Sequence, residues 1–447
     1  MYNYTLSVSN KDLVNIARRA FNLVDPRLID HGARVAYLVS ILLKADSTYT
    51  DQERRNLLIL AALHDIGAYK TEEIDKMVEF ETVNMWNHSI YGYLFFHYFT
   101  PFNEMSAAVL FHHTPWKSLC GLPGLSKRLK QMAQIINLAD RIDIYCDNSK
   151  RKPVWDELCR YLEKQKGLKY SDEVLELFRK ADFSAVSGAG DKRSGSLRTS
   201  EDLDQQFDEM LEAMPFCEEE KDALLRMLIY AIDFRSPHTV THTITTTMIS
   251  VELAKLLCSK DEVNDVLCGA MLHDMGKIGI PVEILEFPGK LSPQAMSVMR
   301  THVDLTEHIL GDSVSETVRE IALRHHEKLD GSGYPKGLTG VELDKKQRIV
   351  AVADIVSALT GTRSYKDAYS QEKTVNIITG MAQKGLIDRD IVALITDNFQ
   401  SIMDTVQEIT APILQTYQEM QDQYGILSQK LMAAFETGDC LSIQNGL

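Results

Sequence analysis

A chain of 447 residues is long enough for two or three domains of ordinary size, each able to bury its own core. Hydrophobic residues at 45% and charged residues at 25% exclude a disordered or fibrous chain. The formal net charge of −15, from 63 acidic against 48 basic residues, argues against a sequence-blind binder of nucleic-acid polymers or of anionic membranes. It leaves room for a small anionic substrate gripped by local cations such as Lys277, Arg363 and Lys366.

Seven cysteines without paired spacing suit free thiols in a reducing compartment. The first residues lack a basic start and an apolar core, and the longest early apolar run, 57–63, is too short to span a bilayer. The expectation is a cytoplasmic protein with no membrane partner.

From residue 11 to about 44 apolar side chains recur at helical spacing, as in Val35, Leu38, Val39, Leu42 and Leu43. Thr50 and Glu53 mark a helix start with a capping carboxylate. That helix runs through the apolar stretch 57–63 into His64-Asp65-Ile66-Gly67, and His88, His112-His113 and Asp140 follow. The glycine- and serine-rich stretch 184–196 reads as a flexible linker. Beyond it comes His242, then the apolar run 266–271 ending in His273-Asp274-Met275-Gly276-Lys277, then His302, His325-His326 and Asp354.

With His31 placed first, the two halves carry the same ligand types in the same order. The gaps are 33, 24, 24 and 27 residues in the first half and 31, 29, 23 and 28 in the second. The chain is therefore an internal repeat. The stretches 167–174 and 385–392 match as well, so the repeat covers whole domains. Strand signals are weak throughout, which predicts an all-α protein. Past residue 398 the spacing of Ile402, Val406, Ile409, Ile413, Tyr417, Met420 and Tyr424 predicts a terminal helical segment, bent or interrupted at Pro412, whose role is packing or homodimerisation. The expected domains are residues 1–183 and 201–447, joined by a linker at 184–200.

Ten of the 13 histidines fall in the duplicated order, leaving only His97, His238 and His308. A purely packing role would require ten coincidences. Imidazole with carboxylate suits borderline and hard divalent ions, and the absence of a cysteine ligand argues against a structural zinc knot. The second half has enough ligands for two ions sharing Asp274. Such a pair acidifies a water, neutralises phosphate oxygens and holds an ester in line.

At this point the second half resembles an HD-GYP domain of the HD phosphohydrolase superfamily, over roughly residues 228–397. The resemblance rests on His273-Asp274-Met275-Gly276-Lys277, on Ile280-Pro281-Val282-Glu283-Ile284-Leu285 with Pro288-Gly289-Lys290-Leu291, on the highly specific His325-His326-Glu327-Lys328-Leu329-Asp330-Gly331-Ser332-Gly333-Tyr334-Pro335, and on Arg363-Ser364-Tyr365-Lys366. It implies a helical domain hydrolysing a cyclic dinucleotide, chiefly cyclic di-GMP, to the linear dinucleotide or GMP. By position, His242, His273, Asp274 and Asp354 would hold one ion and Asp274, His302, His325 and His326 a second, with iron or manganese expected. Lys277 would stabilise charge on the scissile phosphate. Arg363 and Lys366 would grip the second phosphate or a guanine.

Two positions depart from the family. His238 stands where trinuclear members carry a glutamate, which leaves two ions or, with His238 as ligand, three. Phe287 replaces a common lysine and keeps a cyclic GMP-AMP substrate open. The first half resembles a divergent HD domain that keeps His31, His64, Asp65, His88, His112, His113 and Asp140. It has lost the GYP loop, replaced by Thr114-Pro115-Trp116, and Ala68 stands where Lys277 does. That pattern implies a regulatory or structural role with metal retained, against a second phosphohydrolase activity. A reading from another class is a sensor or scaffold that binds the dinucleotide without cleaving it.

Overall fold

The computed structural model describes residues 8–24, 29–68, 86–148, 155–183, 209, 216–236, 239–287, 289–361 and 368–437. The fold is all-α, as the periodicity predicts. Among the described residues the extended pairings are two isolated bridges, Lys166 with Tyr170 and Asp330 with Thr339. The helices of the first half are α1 (Asn10–Asn22), α2 (His31–Lys44), α3 (Asp51–Ala62), α4 (Asn87–Phe99), α5 (Ala107–Leu110), α6 (Trp116–Leu119), α7 (Lys127–Asn148), α8 (Trp155–Lys164) and α9 (Asp172–Lys180). Those of the second are α10 (Glu218–Asp233), α11 (His242–Leu257), α12 (Lys260–Leu272), α13 (Val282–Leu285), α14 (Pro293–Arg300), α15 (His302–Leu310), α16 (Glu316–Leu323), α17 (Lys345–Thr360), α18 (Gln371–Gln383), α19 (Arg389–Asp397) and α20 (Phe399–Thr437).

The chain forms two compact units: Met1–Leu23 with Cys217–Glu419, and Val24–Phe216 with Met420–Leu447. This differs at both ends from the domains expected at 1–183 and 201–447, and packing explains why. Leu13, Ile16, Ala17 and Ala20 line one buried stripe of α1, which packs on α15 and on the 3-10 turn Met275–Gly279 of the C-terminal unit. Arg19 of the same helix donates to the Leu310 carbonyl (3.1 Å) and pairs with Asp312 (3.1 Å). At the other end, the Tyr424 hydroxyl donates to Asn87 Oδ1 (2.8 Å), and its ring stacks on Tyr91 at 4.3 Å in the N-terminal unit. Helix α20 runs continuously through Pro412, so that proline does not interrupt it. The linker at 184–200 lies outside the described residues.

Within each unit the same frame recurs. In the N-terminal unit α2 packs on α3 and α7; in the C-terminal unit α11 packs on α12 and α17. These helices are held by side chains with almost no exposure, such as Val35, Leu38, Leu57 and Ile135 in one and Ile249, Leu253, Val266 and Ile349 in the other. Burying each contributes about 1.5–3 kcal/mol, so the helices that carry or lead into the histidines and aspartates are anchored in the core of each unit. The helix leading to each His-Asp pair begins with a reciprocal cap. Thr50 and Glu53 form it on α3, and Ser259 and Glu262 on α12.

Glycine lets the frame close. A Cβ on Gly276 would lie 2.0 Å from the His302 carbonyl oxygen, and one on Gly67 would lie 2.1 Å from that of His88. Only a residue without a side chain lets the turn after each His-Asp pair approach the next ligand helix so closely.

Candidate metal centres

The ligand histidines are placed by helix ends. His64, His273 and the first histidine of each adjacent pair follow the last turn of a helix, and His31, His242 and His302 open one. At those C-terminal ends the imidazole Nδ1 meets a backbone carbonyl left free by the helix. His64 Nδ1 lies 2.7 Å from the Ala61 oxygen, His273 Nδ1 2.7 Å from Ala270 and His325 Nδ1 2.7 Å from Ala322. His302 does the same with Met299 at 2.7 Å. A carbonyl only accepts, so each Nδ1 carries the proton and each Nε2 turns a lone pair inward.

In the C-terminal unit these lone pairs converge on Asp274. Its Oδ2 lies 3.3 Å from His242 Nε2 and 3.1 Å from His273 Nε2, while its Oδ1 faces His302 Nε2 at 3.6 Å and His325 Nε2 at 4.0 Å. Asp354 reaches His242 Nε2 through Oδ1 (3.2 Å) and His326 Nδ1 through Oδ2 (3.6 Å). Two groups can therefore each hold an ion: His242, His273 and Asp274, and His302, His325 and His326. Asp274 lies between them.

Electrostatics favour cation binding. Burial pushes His325 well below the ordinary imidazole range, helped by His326 and His273, and takes His326 down to about 3. Burial opposes the charge of Asp274, but His273, Lys277 and the hydrogen bond from His242 hold it well below the usual carboxylate range. Neutral His325 and His326 beside an ionised carboxylate are in the state a divalent ion requires, whereas His242, raised to about 9 against its burial by hydrogen bonds to Asp274 and Asp354, must give up its proton to bind one. Moreover, His302 Nε2 and His325 Nε2 stand 3.3 Å apart, both lone pairs by the argument above. His273 Nε2 and Asp274 Oδ1 are buried without a hydrogen-bond partner. Such atoms are costly to bury unless a cation satisfies them.

Lys277 Nζ lies 2.5 Å from Asp274 Oδ2, and its turn is fixed by Arg235, whose Nη1 donates to the carbonyls of Lys277 (3.0 Å), Ile278 (2.7 Å) and Ile280 (3.2 Å). The GYP stretch is pinned by buried Glu327, which accepts from the Lys336 (2.8 Å) and Leu338 (3.0 Å) amides. This puts the Tyr334 ring 4.6 Å from that of His326, and exposed Arg300 lies over the Tyr334 ring at 4.7 Å. His238, Arg363 and Lys366 lie outside the described residues. Phe287 is described and exposed.

The N-terminal unit repeats the arrangement. Asp65 Oδ2 faces His31 Nε2 (3.6 Å) and His64 Nε2 (3.3 Å), and Oδ1 faces His88 Nε2 (3.7 Å) and His112 Nε2 (3.9 Å). Asp140 reaches His31 Nε2 through Oδ1 (3.4 Å) and His113 Nδ1 through Oδ2 (3.7 Å). Here too Asp65, His88, His112 and His113, and His31, His64 and Asp140, form groups that can hold an ion. His64 Nε2, His112 Nε2 and Asp140 Oδ1 are buried without a hydrogen-bond partner.

Ala68 leaves the turn of this half without a lysine, yet a cation stands elsewhere in the centre. Arg141 is buried and donates from Nη2 to Asp140 Oδ2 at 2.7 Å. The loss of the lysine at Ala68 hid it, because the arginine comes from α7 and not from the turn. Sequence reasoning also missed Arg235, Glu327, Arg300 and the groups behind His31 and His242. Only the last had a signal: Asp143 and Ser357 each stand three residues after the final aspartate of their repeat, on the same helix face.

Comparison with known proteins agrees with this geometry. Residues 226–391 and residues 28–145 each match the HD domain family. A 3'3'-cGAMP-specific phosphodiesterase of Vibrio cholerae is 28% identical over 393 residues, covering 86% of this chain and 90% of that protein. A cyclic di-GMP phosphodiesterase response regulator of Xanthomonas campestris is 38% identical over 180 residues, 39% of this chain and 47% of that protein. A crystal structure of a cyclic GMP-AMP specific phosphodiesterase from V. cholerae superposes with a TM-score of 0.53 at 18% identity, covering 86% of this chain and 96% of that one, and so shares the fold.

Proposed function

Since the chain belongs to the HD-domain family, with two HD domains in tandem and the second of HD-GYP type, we propose that it is a metal-dependent phosphodiesterase that hydrolyses a cyclic dinucleotide. Cyclic di-GMP is the substrate we favour, with the linear dinucleotide or GMP as product. The observation that carries the proposal is the bridging position of Asp274, one oxygen toward His242 and His273 and the other toward His302 and His325. A second reading, 3'3'-cyclic GMP-AMP as substrate, is favoured by the relative that matches both halves of the chain. A sensor that binds without cleaving is disfavoured by the retained Lys277.

His242, His273, Asp274 and Asp354 would hold one divalent ion and Asp274, His302, His325 and His326 the other, with His238 the ligand for a third. Iron or manganese suits this nitrogen and oxygen set. Bound there, the ions supply Lewis acidity toward the phosphate oxygens and the attacking water. Lys277, released from Asp274 as the anion enters, neutralises charge developing on the scissile phosphate. The Tyr334 ring keeps His326 oriented and excludes water from one side of the site. Arg363 and Lys366 would contact the second phosphate or a guanine. His31, His64, Asp65, His88, His112, His113 and Asp140 would hold metal in the N-terminal domain, in a structural or regulatory role. We place the protein in the cytoplasm; no described helix is long and apolar enough to cross a membrane.

The test is to load the protein anaerobically with iron or manganese, incubate it with cyclic di-GMP and with 3'3'-cyclic GMP-AMP, and separate the products by chromatography. Cleavage should vanish with a chelator and in the H273A/D274A variant. Persistent absence of cleavage at measured metal occupancy, with nucleotide retained on the protein, would establish the sensor.

A further inference from the structure

The two centres match ligand for ligand but differ in what stands behind the first histidine. His31 and His242 open their helices, so neither reaches a carbonyl of its own helix, and each turns Nδ1 to a side chain of the helix carrying the final aspartate. In the C-terminal unit that side chain is Ser357, whose Oγ lies 3.0 Å from His242 Nδ1 and also 3.3 Å from the His242 carbonyl, to which it donates. In the N-terminal unit it is the buried carboxylate of Asp143, whose Oδ2 lies 2.7 Å from His31 Nδ1. Arg34 holds that carboxylate from behind, donating from Nε to Oδ1 at 2.6 Å and from Nη2 to Oδ2 at 2.9 Å. At the position matching Arg34 the other repeat has Thr245.

A carboxylate behind a ligand imidazole fixes its tautomer and makes its metal-facing nitrogen a stronger donor, and loss of such a partner costs about 10–100-fold in metal affinity. A hydroxyl polarises the ring far less. The N-terminal centre carries two cations, Arg34 on Asp143 and Arg141 on Asp140, and the C-terminal centre carries Lys277 on Asp274 with buried Asp233 nearby, so the difference lies in the partner of the first histidine and not in a surplus of negative charge. Arg141 engages only Oδ2 of Asp140, and Oδ1 stays without a hydrogen-bond partner toward His31 and His64.

We infer that Asp143, clamped by Arg34, is a positioning residue that makes the N-terminal centre the tighter of the two metal sites, so that it fills first and keeps its ion when the C-terminal centre is emptied. The inference rests on the reading that both clusters hold metal. It assigns the N-terminal domain a resident ion and the phosphodiesterase domain an exchangeable one. Limiting metal supply then lowers turnover before it strips the N-terminal domain.

The experiment is to load the full chain with manganese, equilibrate it against a graded chelator, and measure manganese per chain by mass spectrometry. Two release steps are expected, the tighter one surviving in the H273A/D274A variant. In D143S the tighter step should weaken 10–100-fold, while D143N, which keeps the shape and a hydrogen-bonding oxygen, should fall between. Circular dichroism checks the fold of each, and D143N decides the matter where D143S unfolds. A single release step, a tight step that disappears in H273A/D274A, or a tight step unmoved in folded D143S and D143N overturns the inference while leaving metal binding intact. A wild-type chain that retains no manganese at either centre overturns the underlying reading instead.

Discussion

Lys277 and Gly276 sit side by side and are constrained for unrelated reasons. The lysine is there for its charge, because Asp274 Oδ2 lies 2.5 Å away and a phosphate would compete for the same cation. Removing one electrostatic contact to a transition state typically costs 10²–10³-fold in rate. K277A should therefore lower kcat by about that factor while the manganese content per chain, measured by mass spectrometry, stays unchanged. The glycine is there for want of a Cβ, since the Thr306 amide as well as the His302 carbonyl would lie within 2.6 Å of one. Backbone atoms cannot give way as a flexible side chain can, so G276A should destabilise the C-terminal unit by about 1–3 kcal/mol, read as a shift in its thermal midpoint. The glycine and the ligands were legible in the sequence because each appears twice. Arg235 and Glu327 were not, because their partners are backbone groups that spacing does not reveal.

Helix ends carry the next layer of constraint. Glu53 closes the cap of α3 and also reaches Arg128 on α7, with Oε2 3.0 Å from Nη2. The hydrogen bond from Arg128, with help from the Thr50 amide, holds its carboxyl down at about 2, against 4.5 when free. A lowered carboxyl stabilises the fold fully above the free value and loses that contribution as the pH falls through the window from about 4.5 to 2. The urea midpoint of E53Q should therefore lie below that of the wild type at pH 6, and the gap should close as the pH is lowered below 4.5. The matching cap at Ser259 and Glu262 was readable from the same pattern of hydroxyl and glutamate three residues apart. The cross-helix pairing to Arg128, 75 residues away, was not.

The division into units belongs to the whole molecule. Helix α1 precedes the first HD domain in sequence yet packs in the C-terminal unit, against the turn that carries Lys277. A fragment starting at residue 217 should therefore unfold at a lower temperature than the same unit in the full chain and turn over substrate more slowly. Calorimetry and the product assay check both, and an unchanged transition would show that α1 is dispensable.

The amino-acid sequence by itself determined the all-helical class, the duplication and the ligand types, because helical periodicity and a repeated order of histidine and aspartate are local or self-referencing signals. Only the tertiary structure decided that Asp274 and Asp65 each turn their two oxygens to opposite groups of histidines. It also brought Arg141 and Asp143 in behind one centre and Lys277 into the other. Which unit a terminal helix joins was likewise decided there. An amphipathic stripe announces that it will be buried, but the surface it is buried against is a property of the packed chain.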